Sequence, residues 1–158
     1  MEMRPMQQHT LRRAEPADAP VVRELTRAAY AKWVPVIGRE PKPMTADYER
    51  AIAEHIVDLY EVAGRPVGLI EVIPEPPHLS IENIAVAPDL HGQGIGDKLL
   101  GHAESVARAL GFNEMRLYTN AKFATNIAFY QKRGFVEFLR EPVPSGDIAV
   151  HMKKAIEI

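Results

Sequence analysis

The chain has no cysteine, which removes thiol nucleophiles, thiolate metal sites and disulfides together. Its six histidines show no ligand spacing such as H-x-x-x-H. His78, His91 and His102 fall on separate expected elements, so no metal site is expected. No apolar run approaches the roughly 18 residues of a membrane-spanning helix, and the opening MEMRPMQQHT lacks the apolar core of a secretory leader. The expected location is the cytoplasm, with no membrane partner. An excess of either charge is also missing: 19 Lys and Arg against 21 Asp and Glu give a net charge of −2. With the basic residues spread along the chain, nucleic acid is not an expected partner. Against these absences, 46% of the 158 residues are hydrophobic, enough for one full core. The expected organisation is a single domain over 9–158 behind an N-terminal extension over 1–8.

Apolar spacing predicts a mixed α/β chain. His9 to Ala14 reads as a strand, and Glu15-Pro16-Ala17-Asp18 as a turn with Asp18 as N-cap. A helix carrying Val21, Leu25 and Ala28 or Ala29 follows and ends by Pro35. From Tyr30 to Met44 three prolines and a glycine predict an irregular connection, either lining a ligand or covering the edge of the core. A short helix is expected from Thr45, its N-cap, to about His55. Strands then cover Asp58–Ala63 and Pro66–Ile73 around a Gly64-Arg65 turn. Pro74-Glu75-Pro76-Pro77 should end the second of these.

In the next strand the apolar positions are Leu79 and Ile81, then Ile84 and Val86. Period-2 alternation slips by one at Glu82-Asn83, as a β-bulge would cause; a strand buried on both faces would blur the phase as well. A helix from Gly94 stops at Gly111, and Glu114–Thr119 is a strand. Asn126–Arg133 is a helix, and Phe135–Arg140 and Ile148–Lys153 are the last strands. This order predicts a mixed sheet rather than a doubly wound parallel one.

Between strand and helix lies His91-Gly92-Gln93-Gly94-Ile95-Gly96. Glycines there let backbone N–H groups approach a ligand, and a helix N-terminus favours an anion, so a phosphate-bearing ligand is expected. The nucleotide P-loop pattern fails, because Asp97 replaces its second glycine and Leu99 its hydroxyl residue. The dinucleotide fingerprint fails at Asp97 too.

With IAVAPD upstream and NIAFYQKRGF from Asn126 to Phe135 downstream, the loop resembles the signature of the GNAT superfamily of N-acetyltransferases. That signature is Arg or Gln, two residues, Gly, one residue, then Gly or Ala. The resemblance spans roughly residues 10–154 and departs from the pattern at His91, which supplies less fixed positive charge than arginine. It implies an α+β fold: a mixed, mostly antiparallel sheet of six to seven strands with helices on both faces and a V-shaped split between strands 4 and 5. It implies acetyl-CoA as cosubstrate, and possible homodimers. Backbone groups of Ile84 and Val86, with Ala85 between them, would pair with pantetheine. The N–H groups of Gln93 to Gly96, flanked by His91, Gly92 and Asp97, would hold the pyrophosphate, and Asn126 would reach the CoA arm. Tyr130 matches the family's tyrosine that protonates the CoA thiolate.

The reaction implied is transfer of an acetyl group to a primary amine of a small molecule, by direct attack in a ternary complex. An alkylammonium titrates near pH ~10.4, so a base must take its proton. Glu82 beside the bulge is the candidate base and an acceptor contact, with a water chain as the other route. Tyr30, Trp33 and Val34 are the further candidate acceptor contacts, and Lys32, Arg39 and Lys42 hint at a cationic rim. The alternatives are acetylation of a protein or peptide amine, and a non-catalytic acyl-CoA-binding module.

Overall fold

The computed structural model describes residues 8–157, so most of the expected extension over 1–8 lies outside the described residues. Strands β1 (His9–Arg13), β2 (Ile56–Val62), β3 (Arg65–Glu75), β4 (His78–Val86), β5 (Glu114–Asn120), β6 (Val136–Pro142) and β7 (Ile148–Ala155) form one sheet. Its order is β1-β2-β3-β4-β5-β7-β6, and every neighbouring pair is antiparallel except β4 with β5. The helices are α1 (Ala19–Tyr30), α2 (Val34–Ile37), α3 (Tyr48–Glu54), α4 (Ile95–Ala109) and α5 (Ala124–Lys132). The expected mixed, mostly antiparallel sheet is present.

Alternation along the strands sorts the core into two clusters. On one face, Ala19 and Val22 of α1 and Tyr48 and Ala51 of α3 pack on Val57, Leu59, Leu69 and Ala85. On the other, Leu99, Leu100, Ala103 and Ala107 of α4 meet Val67, Ile70, Leu79, Met115, Val150 and Met152. Each fully buried leucine contributes about 1.5–3 kcal/mol. A polar staple joins α4 to the sheet: Asp58 of β2 accepts from His102 Nε2 and Arg13 Nε, both at 2.8 Å. Burial pushes the Asp58 carboxyl up, but these two bonds outweigh it and hold the group below the usual carboxylate range.

Several local expectations are corrected. Asp18 stands at the N-cap position of α1 as expected but makes no side-chain cap bond; its carboxylate accepts instead from Glu15 N–H and Arg12, closing the turn before the helix. Asp47, rather than Thr45, caps α3 by accepting from Arg50 N–H at 3.1 Å. The β2–β3 turn is Ala63-Gly64, both at positive φ, the geometry of a type I′ hairpin. Strand β3 passes through Pro74 to Glu75, pairing with His78, because β2 reaches only Val72. Beyond it, a backbone nitrogen turned to the open side costs no ladder bond. The Tyr30–Met44 segment is more ordered than expected: Pro35 lies in the first turn of α2, where a missing N–H is tolerated, and a 3-10 turn covers Lys42–Thr45.

The slip in β4 is a bulge. Asn83 faces Glu71 and Ile81 faces Val72, leaving Glu82 as the extra residue. The parallel pairing of β4 with β5 covers only Leu79–Ile81 against Met115–Leu117. Beyond the bulge the two strands part, and this is the expected V-shaped split.

Candidate active site

The split leaves one edge of β4 without a strand. Ala87 N–H bonds Val67 on β3 at 2.8 Å, so by alternation Ile84 and Val86 turn their backbone groups the other way, into the split. The carbonyl of Val86 accepts from His91 Nε2 at 2.9 Å there. Since a carbonyl only accepts, that nitrogen carries the proton.

The turn after β4 enters α4 through two left-handed glycines, Gly92 at φ 79° and Gly94 at φ 82°, a conformation that costs other residues about 1–2 kcal/mol. Lys98 N–H, bonded to Gly94 at 3.2 Å, starts the helical ladder. The first helical N–H groups lack an intrahelical acceptor and converge at the positive end of the helix dipole. An anion fits this cradle through its backbone alone.

A cleft of about 370 Å³ joins cradle and split. Its walls include Ile84, Ala85, Val86, His91, Gly92, Gly94, Ile95, Gly96 and Asp97 on one side, and Asn126 and Tyr130 of α5 on the other. Tyr30 and Trp33, at and just beyond the end of α1, line it as well. Glu82, Gln93 and Val34 lie off the cleft wall. Trp33 stacks on Phe123 with ring centroids 4.4 Å apart and planes 16° apart, tying the end of α1 to the start of α5.

Tyr130, 7% exposed, stands edge-on between Phe129 and Phe135 at 5.3 and 5.5 Å. Burial raises its phenol well above the ordinary value, so the hydroxyl keeps its proton across the working pH range. The Tyr30 phenol is raised too, first by burial and then by neighbours that include Tyr130, Tyr48 and Glu82. At the bulge, burial and then Glu71 raise the Glu82 carboxyl, while Lys42 and His55 pull it back. Glu71 itself is held by His55 Nδ1 at 2.6 Å.

Phe129 and Arg133 line the cleft without having been expected there. Phe129 packs against the core and also lies on the cleft wall, against Gly96. Arg133 spreads over the Phe129 ring, 3.7 Å from its centroid, donates to the Phe129 carbonyl at 2.9 Å and forms an ion pair with Asp97. This fixes a guanidinium beside the cradle, where the motif's arginine is replaced by His91. The only trace in the sequence is an acid in the first turn of α4 and a base at the end of α5, 36 residues apart. Lys32 also lines the cleft, with its ammonium 5.1 Å from the Trp33 ring centroid.

The sequence profile described as the Acetyltransferase (GNAT) family matches residues 20–135. The chain belongs to the GNAT family of acetyltransferases. A relative from Azospirillum brasilense, described as an IAA acetyltransferase, is 36% identical over 105 residues, covering 58% of this chain and 69% of the relative. Among solved structures, the PaiA N-acetyltransferase of Thermoplasma acidophilum in complex with coenzyme A superposes with TM-score 0.76 at 19% identity, over 94% of this chain and 99% of that one. The ribosomal-protein-S18-alanine N-acetyltransferase of Escherichia coli gives 0.75 at 22%, over 96% of each chain. This GNAT protein is therefore an acyltransferase acting with acetyl-CoA, and its fold is the GNAT fold.

Within the GNAT signature the last small residue is Gly or Ala, and here alanine would force the Phe129 ring to shift. A Cβ on Gly96 would stand 2.9 Å from Phe129 Cζ, and that ring cannot retreat without disturbing Arg133 and Tyr130. Gly96→Ala is expected to weaken acetyl-CoA binding by about 10- to 100-fold, the equivalent of roughly 1–3 kcal/mol of overpacking. Calorimetric titration measures the loss, and adding Phe129→Leu should recover part of it. An unchanged affinity would show that the ring yields freely.

Proposed function

We propose that this GNAT acetyltransferase acts in the cytoplasm, moving the acetyl group of acetyl-CoA to a primary amine of a small molecule by direct attack in a ternary complex. The observation carrying this reading is the continuity of one cleft from the glycine cradle, along the free edge of β4, to Tyr130 and the Tyr30–Trp33 wall. The backbone N–H groups from Gln93 to Gly96 take the pyrophosphate, Arg133 adds fixed positive charge, and Ile84 and Val86 present main-chain groups to the pantetheine arm. Asn126 lies on the same wall as Tyr130 and orients that arm by its side-chain amide.

Glu82 takes the proton of the attacking amine. As the C–N bond forms, an N–H of Ile84 or Val86 stabilises charge on the thioester oxygen. As the C–S bond breaks, Tyr130 gives its proton to the sulfur, and the phenolate takes one back from solvent before the next turnover.

The small-molecule assignment is supported by Trp33 on the cleft wall, fixed there by its stack on Phe123, and by the IAA acetyltransferase description of the Azospirillum brasilense relative. The Escherichia coli neighbour is named for a ribosomal-protein alanine, so peptides are the decisive comparison. Free CoA release is to be followed with polyamines, amino acids, aminoglycosides and peptides as acceptors. Turnover with one of the small-molecule groups is expected. Turnover with peptides alone would overturn the assignment, and release with no amine despite tight acetyl-CoA binding would favour a regulatory acyl-CoA sensor.

A further inference from the structure

Asn83 follows the bulged Glu82 on β4 and is 3% exposed. A buried amide needs hydrogen-bond partners, and here two hydroxyls dictate its orientation. Thr26 of α1 is fully buried, and its hydroxyl donates to the Val22 carbonyl at 2.8 Å. Tyr48 of α3, also buried, donates to the Pro43 carbonyl. Burial pushes its phenol up to about 12, so it keeps that proton. Each hydroxyl has a single proton already committed to a carbonyl, so toward Asn83 both can only accept. The Asn83 amide nitrogen lies 3.1 Å from Thr26 Oγ1 and 3.2 Å from Tyr48 Oη. Both of its N–H groups are thereby assigned, and the amide is held in one orientation.

That orientation leaves Asn83 Oδ1 buried with no hydrogen-bond partner among the described residues. An unpaired buried carbonyl oxygen is unfavourable. An apolar side chain would fill the place without it, and both hydroxyls would keep their donations to Val22 and Pro43. Stability alone therefore does not account for an amide here. What the amide supplies is a fixed point joining three segments: α1 through Thr26, the Tyr30–Met44 connection through Pro43, and the β4 bulge. Across the ladder Asn83 faces Glu71, so a neutral group lies opposite that carboxylate. A bulge moved by one residue would instead set Glu82 opposite Glu71, two like charges in one cross-strand pair.

We propose that Asn83 is a positioning residue for acetyl transfer: by donating to Thr26 and Tyr48 it locks the bulge in the register that keeps Glu82 clear of Glu71 and available to the attacking amine. This rests on the reading of Glu82 as the base. Asn83 does not line the cleft, so it acts through the residue before it rather than on the substrates.

Steady-state kinetics across pH, with calorimetric titration of acetyl-CoA and thermal unfolding alongside, test this. Asn83→Leu, which keeps the branching of the side chain and removes its hydrogen bonds, is expected to lower kcat by about tenfold or more and to flatten the acid limb, with the Kd for acetyl-CoA within about threefold. The charges acting on Glu82, those of Glu71, Lys42, His55 and Glu75, all remain in that variant, so a lost limb reports position rather than charge. Tyr48→Phe and Thr26→Val each remove one acceptor of the amide and should act in the same direction by about threefold, which answers the question if Asn83→Leu folds poorly. Added to Glu82→Gln, Asn83→Leu should cause no further loss, because both changes act on one step. A purely structural role predicts a lower unfolding temperature with kcat and acid limb retained, and that result, or a fully additive loss in the double variant, would overturn the proposal. Loss of the limb in Glu82→Gln but not in Asn83→Leu sinks the positioning role alone. A limb that survives Glu82→Gln sinks the reading of Glu82 as base, and the positioning role with it.

Discussion

Tyr130→Phe is expected to lower kcat by about two to three orders of magnitude while leaving the Kd for acetyl-CoA within roughly threefold of its original value, the range found when a positioned acid is removed. The substitution is conservative in shape. Tyr130 is held by edge-on contacts with Phe129 and Phe135, and a phenylalanine ring keeps both. What disappears is the hydroxyl of a residue on the cleft wall, whose proton burial holds in place. A structural role would show as lost binding or lost stability with little change in kcat. Steady-state kinetics together with calorimetric titration of acetyl-CoA separate the two, and undiminished turnover would remove Tyr130 from the mechanism.

Changing Glu82 should produce a loss of about a hundredfold in kcat/KM and, more tellingly, a change in the shape of the pH profile. As a base, Glu82 works only when ionised, so activity falls as pH drops through its pKa. Burial, followed by the nearby Glu71, raises that pKa above the ordinary value of 4.5, while Lys42 and His55 oppose the rise. The acid limb of the original enzyme is therefore expected at higher pH than an exposed glutamate would give, and Glu82→Gln should abolish that limb. Because Glu82 stands at the bulge, off the cleft wall, a bridging water is the natural link to the amine. A variant that keeps both rate and acid limb would assign proton removal to water alone.

The fold was legible where one strand or helix carries its own signal. Alternating Leu79, Ile81, Ile84 and Val86 marked β4 and, through the slip at Glu82, its bulge. The glycines marked the cradle because left-handed backbone at Gly92 and Gly94 selects for them locally. Local signals also misled. Asp18 has the chemistry of an N-cap, yet Arg12 and Glu15 claim its carboxylate. Pro35 reads as a helix stop, yet it lies in the first turn of α2.

By itself, then, the order of residues marked most of the elements and the glycine turn before α4, each from spacing within one segment, and the family resemblance, from motifs spread between Ile84 and Phe135. Only the tertiary structure decided that β4 and β5 part at the bulge, that the Phe129 ring crowds Gly96, and that Asp97 and Arg133 set a fixed cation beside the glycine turn. Those features depend on which distant segments are brought together, and that choice is made by burying both faces of the sheet at once, a condition on the whole chain that no single segment records.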